Sequence, residues 1–194
     1  MAAGDALRAE LVRNDCGVEA QHGVRPERKN QRVGSDTHVH IREARPDEGE
    51  LLREIAIASK GHWGYDPEVV RGWAAGGDFT AEGLARKAVH VAEVNGRVVG
   101  WAGLIPRGDV CWLDDLWIEP SAIGTGIGSR LFRHAAQVAE ELGASRMEWE
   151  AEPNALGFYE RMGGRYLRDS EPSEWGRVLK VMGVDLVSSP HRCV

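Results

Sequence analysis

A mixed α/β fold, with a mostly antiparallel sheet and one parallel crossover at its centre, is what this 194-residue sequence predicts. Three observations carry that reading. The run "VHVAEVNGRVVGWAGLIP" (89–106) holds two β-rich stretches around Asn95-Gly96, a dipeptide suited to a type I′ hairpin turn. "DVCWLDDLWIEP" (109–120) follows as a further strand, stopped by Pro120. A glycine loop, an amphipathic helix and the strand "SRMEWEA" (145–151) come next. A strand–helix–strand order of this kind requires the two strands to run parallel.

The other elements fall in line around that centre. "HVHIREA" (38–44) alternates and reads as a strand, and "RPDEGELLREIAIAS" (45–59) sets Leu51, Leu52, Ile55 and Ala58 at helical spacing. "GHWGYD" (61–66) is a loop, after which Asp66-Pro67 opens a second helix, "PEVVRGWAAG". A short helix is expected after Thr80. The helix after the glycine loop is expected over 127–142, with Leu131, Ala135, Val138 and Leu142 on its buried face and Gly143 ending it. "NALGFYERMGG" reads as a short helix, and "RYLRDS" and "GRVLKVMGVDLV" as two last strands.

Composition bounds the function. Residues 1–38 hold none of the 13 aromatics and carry six basic and six acidic residues, so the net charge of −6 belongs to the remainder. Such a segment cannot bury enough apolar area to offset chain ordering. It is expected to be a disordered tail with at most a short helix near 5–13. The folded domain is expected over 39–187, with a flexible end over 188–194. No run reaches the roughly 18 apolar residues of a membrane span, and the charges at Asp5, Arg8, Glu10 and Arg13 exclude a secretory signal. Cys16, Cys111 and Cys193 are scattered, without metal-ligand spacing, which points to a reduced, cytoplasmic compartment and to no metal. The acidic balance and the lack of a basic stripe argue against nucleic acid and favour a cationic small partner.

"SAIGTGIGSRLF" (121–132) places Gly124, Gly126 and Gly128 at alternate positions directly before a helix. Unpaired N–H groups and the helix dipole favour an anion there, and residues without Cβ admit it closely. Ser129-Arg130 after Gly128 excludes a Walker A loop, and serine at 129 excludes the dinucleotide GxGxxG pattern. A glycine-rich turn with no ligand is the plain alternative.

"LDDLWIEPSAIGTGIGSRLF" (113–132), followed by "EAEPNALGFYERMG" (150–163), resembles the GNAT acetyltransferase superfamily, over roughly residues 39–187. "SKGHWGYD" and "SEWGRVL" are similar to a bacterial branch whose substrates are unassigned. The resemblance implies helices on both faces of the sheet and a central parallel strand pair that splays apart. It implies an N-acetyltransferase (an acyltransferase) that uses acetyl-CoA and no metal. By the same resemblance, Leu116, Trp117 and Ile118 offer backbone groups to the pantetheine, and an N–H near Leu116 polarises the thioester carbonyl. Ile123, Gly124, Thr125, Gly126, Ile127, Gly128 and Ser129 surround the pyrophosphate, and Asn154 contacts coenzyme A. The family pattern has Arg or Gln where Ile123 stands, so Arg130 or Arg133 is expected to supply charge. Tyr159 matches the family's general acid, the alternative being a core tyrosine beside Phe158. Asp114 and Asp115 match acidic positions of amine-acetylating relatives. Neighbouring strand residues face opposite sides, so one of the two is expected to face the acceptor, with Asp114 as base through water. Glu43, Glu150, Glu152 and His62 are further candidates. Trp63 and Tyr65 are expected either to wall the acceptor site or to staple two helices. Trp112, Trp117 and Trp149 are expected in the core, and Arg177 in a structural or carboxylate-binding role. The resemblance implies as acceptor a primary amine of a small molecule or peptide and leaves a homodimer open, since dimerisation is common in the family. A non-catalytic acyl-CoA-binding module is the competing reading.

Overall fold

The computed structural model describes residues 39–173 and 176–186. The expectations for the tail over 1–38 and for the end over 188–194 lie outside them. Seven strands form one sheet: β1 (Val39–Glu43), β2 (Ala88–Val94), β3 (Arg97–Arg107), β4 (Val110–Ile118), β5 (Arg146–Ala151), β6 (Arg165–Asp169) and β7 (Lys180–Asp185). Their order is β1-β2-β3-β4-β5-β7-β6. Every neighbouring pair is antiparallel except β4 and β5. The mixed sheet with one parallel pair is thus the architecture the sequence predicts. Its last strand in sequence, β7, is inserted between β5 and β6.

Local chemistry accounts for the boundaries. Asn95 and Gly96 take φ of 53° and 77°, the conformation of a type I′ turn, and β2 pairs with β3 from Val94↔Arg97 onward. Helix α1 (Gly49–Gly61) buries Leu52, Ile55, Ala56 and Ser59 on one stripe. Asp66 caps α2 (Pro67–Ala75) by accepting from Glu68 N at 2.7 Å. Thr80 caps α3 (Ala81–Ala85) by accepting from Gly83 N at 3.1 Å. Helix α4 (Ile127–Glu141) buries Ile127, Leu131, Phe132, Ala135, Val138 and Ala139, and α5 (Leu156–Arg161) follows β5.

Two apolar layers cover the sheet. One joins Leu131, Phe132 and Ala135 of α4 to Leu113, Met147, Trp149 and Tyr159. The other joins Leu52, Ile55 and Ala56 of α1 to Leu84, Val91 and Trp101. The stretch Val98–Leu104 of β3 is buried throughout, as a central strand covered on both faces must be. Trp101 Nε1 donates to Leu52 O at 2.9 Å and ties α1 to this strand. No described helix is long and apolar enough to cross a membrane.

A buried ion cluster joins β1 to the entry of α1. Arg42 donates to both oxygens of Glu48, at 2.7 and 2.9 Å, and to Glu93 at 2.6 Å. Glu48 is only 4% exposed, and the Arg42 guanidinium holds its carboxyl below the usual carboxylate range despite burial. Arg42→Met strands that charge, although Arg45 remains 2.7 Å away. Thermal unfolding is expected to show a loss of about 3 kcal/mol, the low end for a broken buried pair. Because the carboxyl is depressed in the folded state, this contribution is present above the ordinary carboxylate range. It disappears as pH falls through the depressed value, so wild type and variant should converge in acid.

Candidate functional site

β4 and β5 pair over only three positions: Val110↔Arg146, Cys111↔Met147 and Trp112↔Glu148. Beyond them β4 stays with β3 as far as Ile118↔Gly100, and β5 stays with β7 as far as Ala151↔Lys180. The facing edges of the two strands therefore part, and their backbone groups in that stretch have no partner in the sheet.

The end of β4 leads through a 3-10 turn (Pro120–Ala122) into the glycine loop. Gly124 and Gly126 have φ of 80° and 90°, a region where a Cβ is strained. A Cβ at either would meet no atom within 4 Å, so the space over the loop is open. Gly128 differs: its φ is ordinary, and a Cβ there would only touch Ile118 and Phe158, at 3.6 Å. The first backbone bond into α4 is Arg130 N to Gly126 O, at 3.1 Å. No side chain caps the helix and its first turn has no acidic residue. The N–H groups of Ile127, Gly128 and Ser129 are left without described acceptors, and the dipole end is uncompensated. Arg130 and Arg133 are exposed and unpaired among the described residues, and Ile123 is 36% exposed beside the loop. An open, uncapped, cation-flanked helix start is a surface that favours an anion.

On the opposite face of the sheet lies a cavity of about 440 Å³. β4 lines it with Asp114, Asp115 and Trp117, β5 with Glu150, and α1 with Lys60. The expectation that only one aspartate faces this side is corrected. The β3–β4 register shifts at Gly103/Leu104, where Gly103 pairs Asp115 and Leu104 pairs Leu113. Asp114 is thus the extra residue of a β-bulge, and alternation restarts after it. Both carboxylates reach Lys87 Nζ, at 2.5 Å for Asp114 and 2.7 Å for Asp115. Gly103 makes the room: a Cβ there would lie 2.8 Å from Asp115 Oδ2. Burial pushes the Asp115 carboxyl up, against the pull of Lys87 and a 2.9 Å bond from Trp117 Nε1. Burial acts to lower Lys87, but the two carboxylates more than offset it and its pKa is raised.

A second network closes the cavity toward β7. Tyr65 Oη donates to Glu152 (2.8 Å to Oε1) and accepts from Arg177 Nη2 at 2.9 Å. Asn154 Nδ2 donates to the same Glu152 oxygen at 3.1 Å. Burial first, and then the bond to Glu152, push the Tyr65 hydroxyl up.

Residues 51–164 match the acetyltransferase (GNAT) family. The chain belongs to this family. An uncharacterized N-acetyltransferase of Methanocaldococcus jannaschii is 32% identical over 83 residues, which are 38% of this chain and 37% of that relative's length. The fold is similar to that of the PaiA N-acetyltransferase from Thermoplasma acidophilum, solved in complex with coenzyme A. The TM-score is 0.64 at 18% identity, over 76% of this chain and 99% of that one. A GCN5-related N-acetyltransferase from Rhodopseudomonas palustris also gives a TM-score of 0.64, at 23% identity over 76% of this chain and 95% of that one.

Within this GNAT domain the residues singled out in the sequence separate. Leu116 and Ile118 pack toward α4, while Trp117 is half-buried against the α1 layer and also lines the cavity, so the expectation of Trp117 as core holds only in part. Trp112 is also half-buried rather than core, with the Arg107 guanidinium 4.7 Å over its ring. Trp149 is core, as expected, at 1% exposure. Tyr159 is 7% exposed and packs against Trp149, Phe158 and Phe132 at ring distances of 5.0, 5.1 and 6.1 Å. Burial raises its hydroxyl well above the usual tyrosine range, with the Glu152 charge adding to the shift. Tyr65, Glu152 and Asn154 meet in one network, whereas Trp63 stacks edge-on with His62, at 5.1 Å, and neither of these two lines the cavity. Glu43 sits exposed on the edge strand β1, remote from the gap. Lys60, Trp73 and Lys87 line the cavity and were not among the expected site residues. The two lysines carried a compositional signal, since the chain has only four lysines against twenty arginines; Trp73 carried none.

Proposed function

We propose that this chain transfers an acetyl group from acetyl-CoA to a primary amine of a small molecule or peptide by direct attack on the thioester. One observation carries the reading. The strands that part are the same ones that hold the uncapped glycine loop at one end and the carboxylate-lined cavity on one face. A donor and an acceptor can therefore meet at a single opening in the sheet. Coenzyme A in the T. acidophilum structure of this fold supports the choice of donor.

Acetyl-CoA supplies the acetyl group already activated as a thioester. The backbone N–H groups of residues 124–129 take its pyrophosphate, and the free edge at Leu116, Trp117 and Ile118 takes its pantetheine arm. An N–H near Leu116 polarises the thioester carbonyl. Asn154, oriented by Glu152, makes a further polar contact. The attacking amine must first lose a proton. Asp114 accepts it through water, with one carboxylate oxygen held by Lys87. The exposed carboxylate of Glu150 lines the same cavity across the gap. Tyr159, kept protonated by burial, donates to the departing thiolate.

Release of coenzyme A thiol from acetyl-CoA, measured across diamines, amino acids, aminoglycosides and peptide N-termini, tests the proposal. Thiol release that requires an amine, with the acetylated amine recovered by mass spectrometry, is expected. The competing reading, an acyl-CoA-binding module without turnover, draws on Ile123, which lacks the charge the family pattern places there. Binding without amine-dependent release would favour it.

Ile123 also makes a prediction about binding strength. Ile123→Arg restores a cation beside the loop and is expected to tighten coenzyme A by about two- to fivefold, the size of an exposed ionic contact of roughly 0.5–1 kcal/mol. The gain should fade with added salt. Calorimetry at two ionic strengths measures both; an unchanged affinity would mean that the pyrophosphate lies elsewhere.

A further inference from the structure

Three aromatic rings, those of Trp73 and Trp117 lining the cavity and of Tyr65 beside it, approach a cation that the chain itself supplies. Lys60, in the last turn of α1, places Nζ 4.9 Å from the ring centre of Trp73, 5.1 Å from Tyr65 and 5.7 Å from Trp117. No carboxylate among the described residues lies within ion-pair distance of it. The other lysine of the cavity, Lys87, is pinned between Asp114 and Asp115. Trp117 belongs to the stretch of β4 that has parted from β5, so one of the three rings is carried by the strand proposed for the pantetheine arm.

We propose that Lys60 is a self-acetylation site, the amine that the chain's own acceptor cavity presents to acetyl-CoA. The inference rests on the proposed function, since it uses the same donor at the same opening. In its neutral form, Nζ bonds to the acetyl carbonyl carbon. The carbon–sulfur bond breaks with its electron pair on sulfur, and the proton released from Nζ ends on that sulfur. The products are acetyl-lysine and coenzyme A thiol. Burial lowers the pKa of Lys60, while Glu152 raises it and Arg177 lowers it. Asp78, Lys87, Asp114, Asp115 and Glu150 are the other charges lining the cavity. Neutral amine is thus available at lower pH than for an exposed lysine. The rate should rise with pH and level off below the ordinary lysine range. Cation–π contact with the three rings opposes this lowering by favouring the charged form, and it is lost on acetylation. Acetylation would also remove a positive charge from the cavity, which favours a cationic acceptor.

The test is to incubate the full chain with acetyl-CoA and no added amine, then follow intact mass and map the peptides. One acetyl group per chain is expected on Lys60. Its formation should be about tenfold or more faster than at the exposed Lys180, because a held amine reacts at high effective concentration, with a rate constant independent of protein concentration. Lys87 should stay unmodified. Lys60→Arg, which keeps the cation, should abolish the mass increment, while Lys180→Arg should leave it. The inference is overturned if Lys60 remains free, if it reacts no faster than Lys180, or if the rate scales with protein concentration. The amine panel is run in parallel. Turnover of an amine with Lys60 unmodified would overturn self-acetylation alone, and no transfer to any amine or to Lys60 would overturn both.

Discussion

Coenzyme A affinity is expected to fall by about 10²-fold in Gly126→Val, the loss of one or two hydrogen bonds to a charged group at roughly 1.5–3 kcal/mol each. Gly126 has a φ of 90°, and a side chain there would project into the open space over the loop, where nothing lies within 4 Å. A valine in that conformation also strains the backbone, by about 1–2 kcal/mol, so the protein should melt lower as well. Gly143→Val separates the two effects. Gly143 follows α4 at the far end, with a φ of 87° and equally open space. It should show the same loss of stability with coenzyme A affinity unchanged. Gly128→Ala should be mild, since its added carbon meets only ordinary contacts. Calorimetric titration of the three variants checks the pattern. Equal loss of affinity in Gly126→Val and Gly143→Val would mean that strain, not the phosphate site, is responsible.

Tyr159→Phe is expected to lower kcat by about 10²–10⁴, the range for removal of a general acid. The ring and its contacts with Trp149, Phe158 and Phe132 are kept, so melting temperature and coenzyme A binding should change little. The raised hydroxyl adds a signature. A donor held protonated gives no fall in rate as pH rises through the usual tyrosine range near 10. The assay needs an acceptor found in the amine panel and must report kcat. A variant within about threefold of wild type, far below the range for general acids, would return Tyr159 to a purely packing role.

Much of this fold was legible because its signals are local. Asn95-Gly96 encodes its own turn, Asp66-Pro67 and Thr80 announce helix starts, and the stripe from Leu131 to Val138 has a helical period. Insertion of β7 between β5 and β6 is a long-range pairing and has no such mark. The site was legible where it is backbone chemistry. The glycine loop reads directly as a helix start open to anions, although Gly128 proves less demanding than Gly124 and Gly126. It was not legible where one residue changes the phase. The bulge at Asp114 turns both aspartates to Lys87, and depends on the room left by Gly103 on a neighbouring strand. Trp117 leaves the α4 layer for the same reason, since the restarted alternation sends it to the face that carries the cavity. Lys60 lies in α1 and Lys87 in the turn between α3 and β2, and the two meet in the cavity only through the packing of α1 on the sheet.

Coenzyme A is expected to lie on the glycine loop and in the gap between β4 and β5. Assigned amide NMR signals followed through a titration with coenzyme A measure this directly. The largest shifts are expected at the N–H groups of residues 124–129 and of Leu116 and Ile118, with the turns at Asn95-Gly96 and Gly108 unmoved. Saturable shifts that leave the 124–129 amides unchanged and gather on another surface would contradict it.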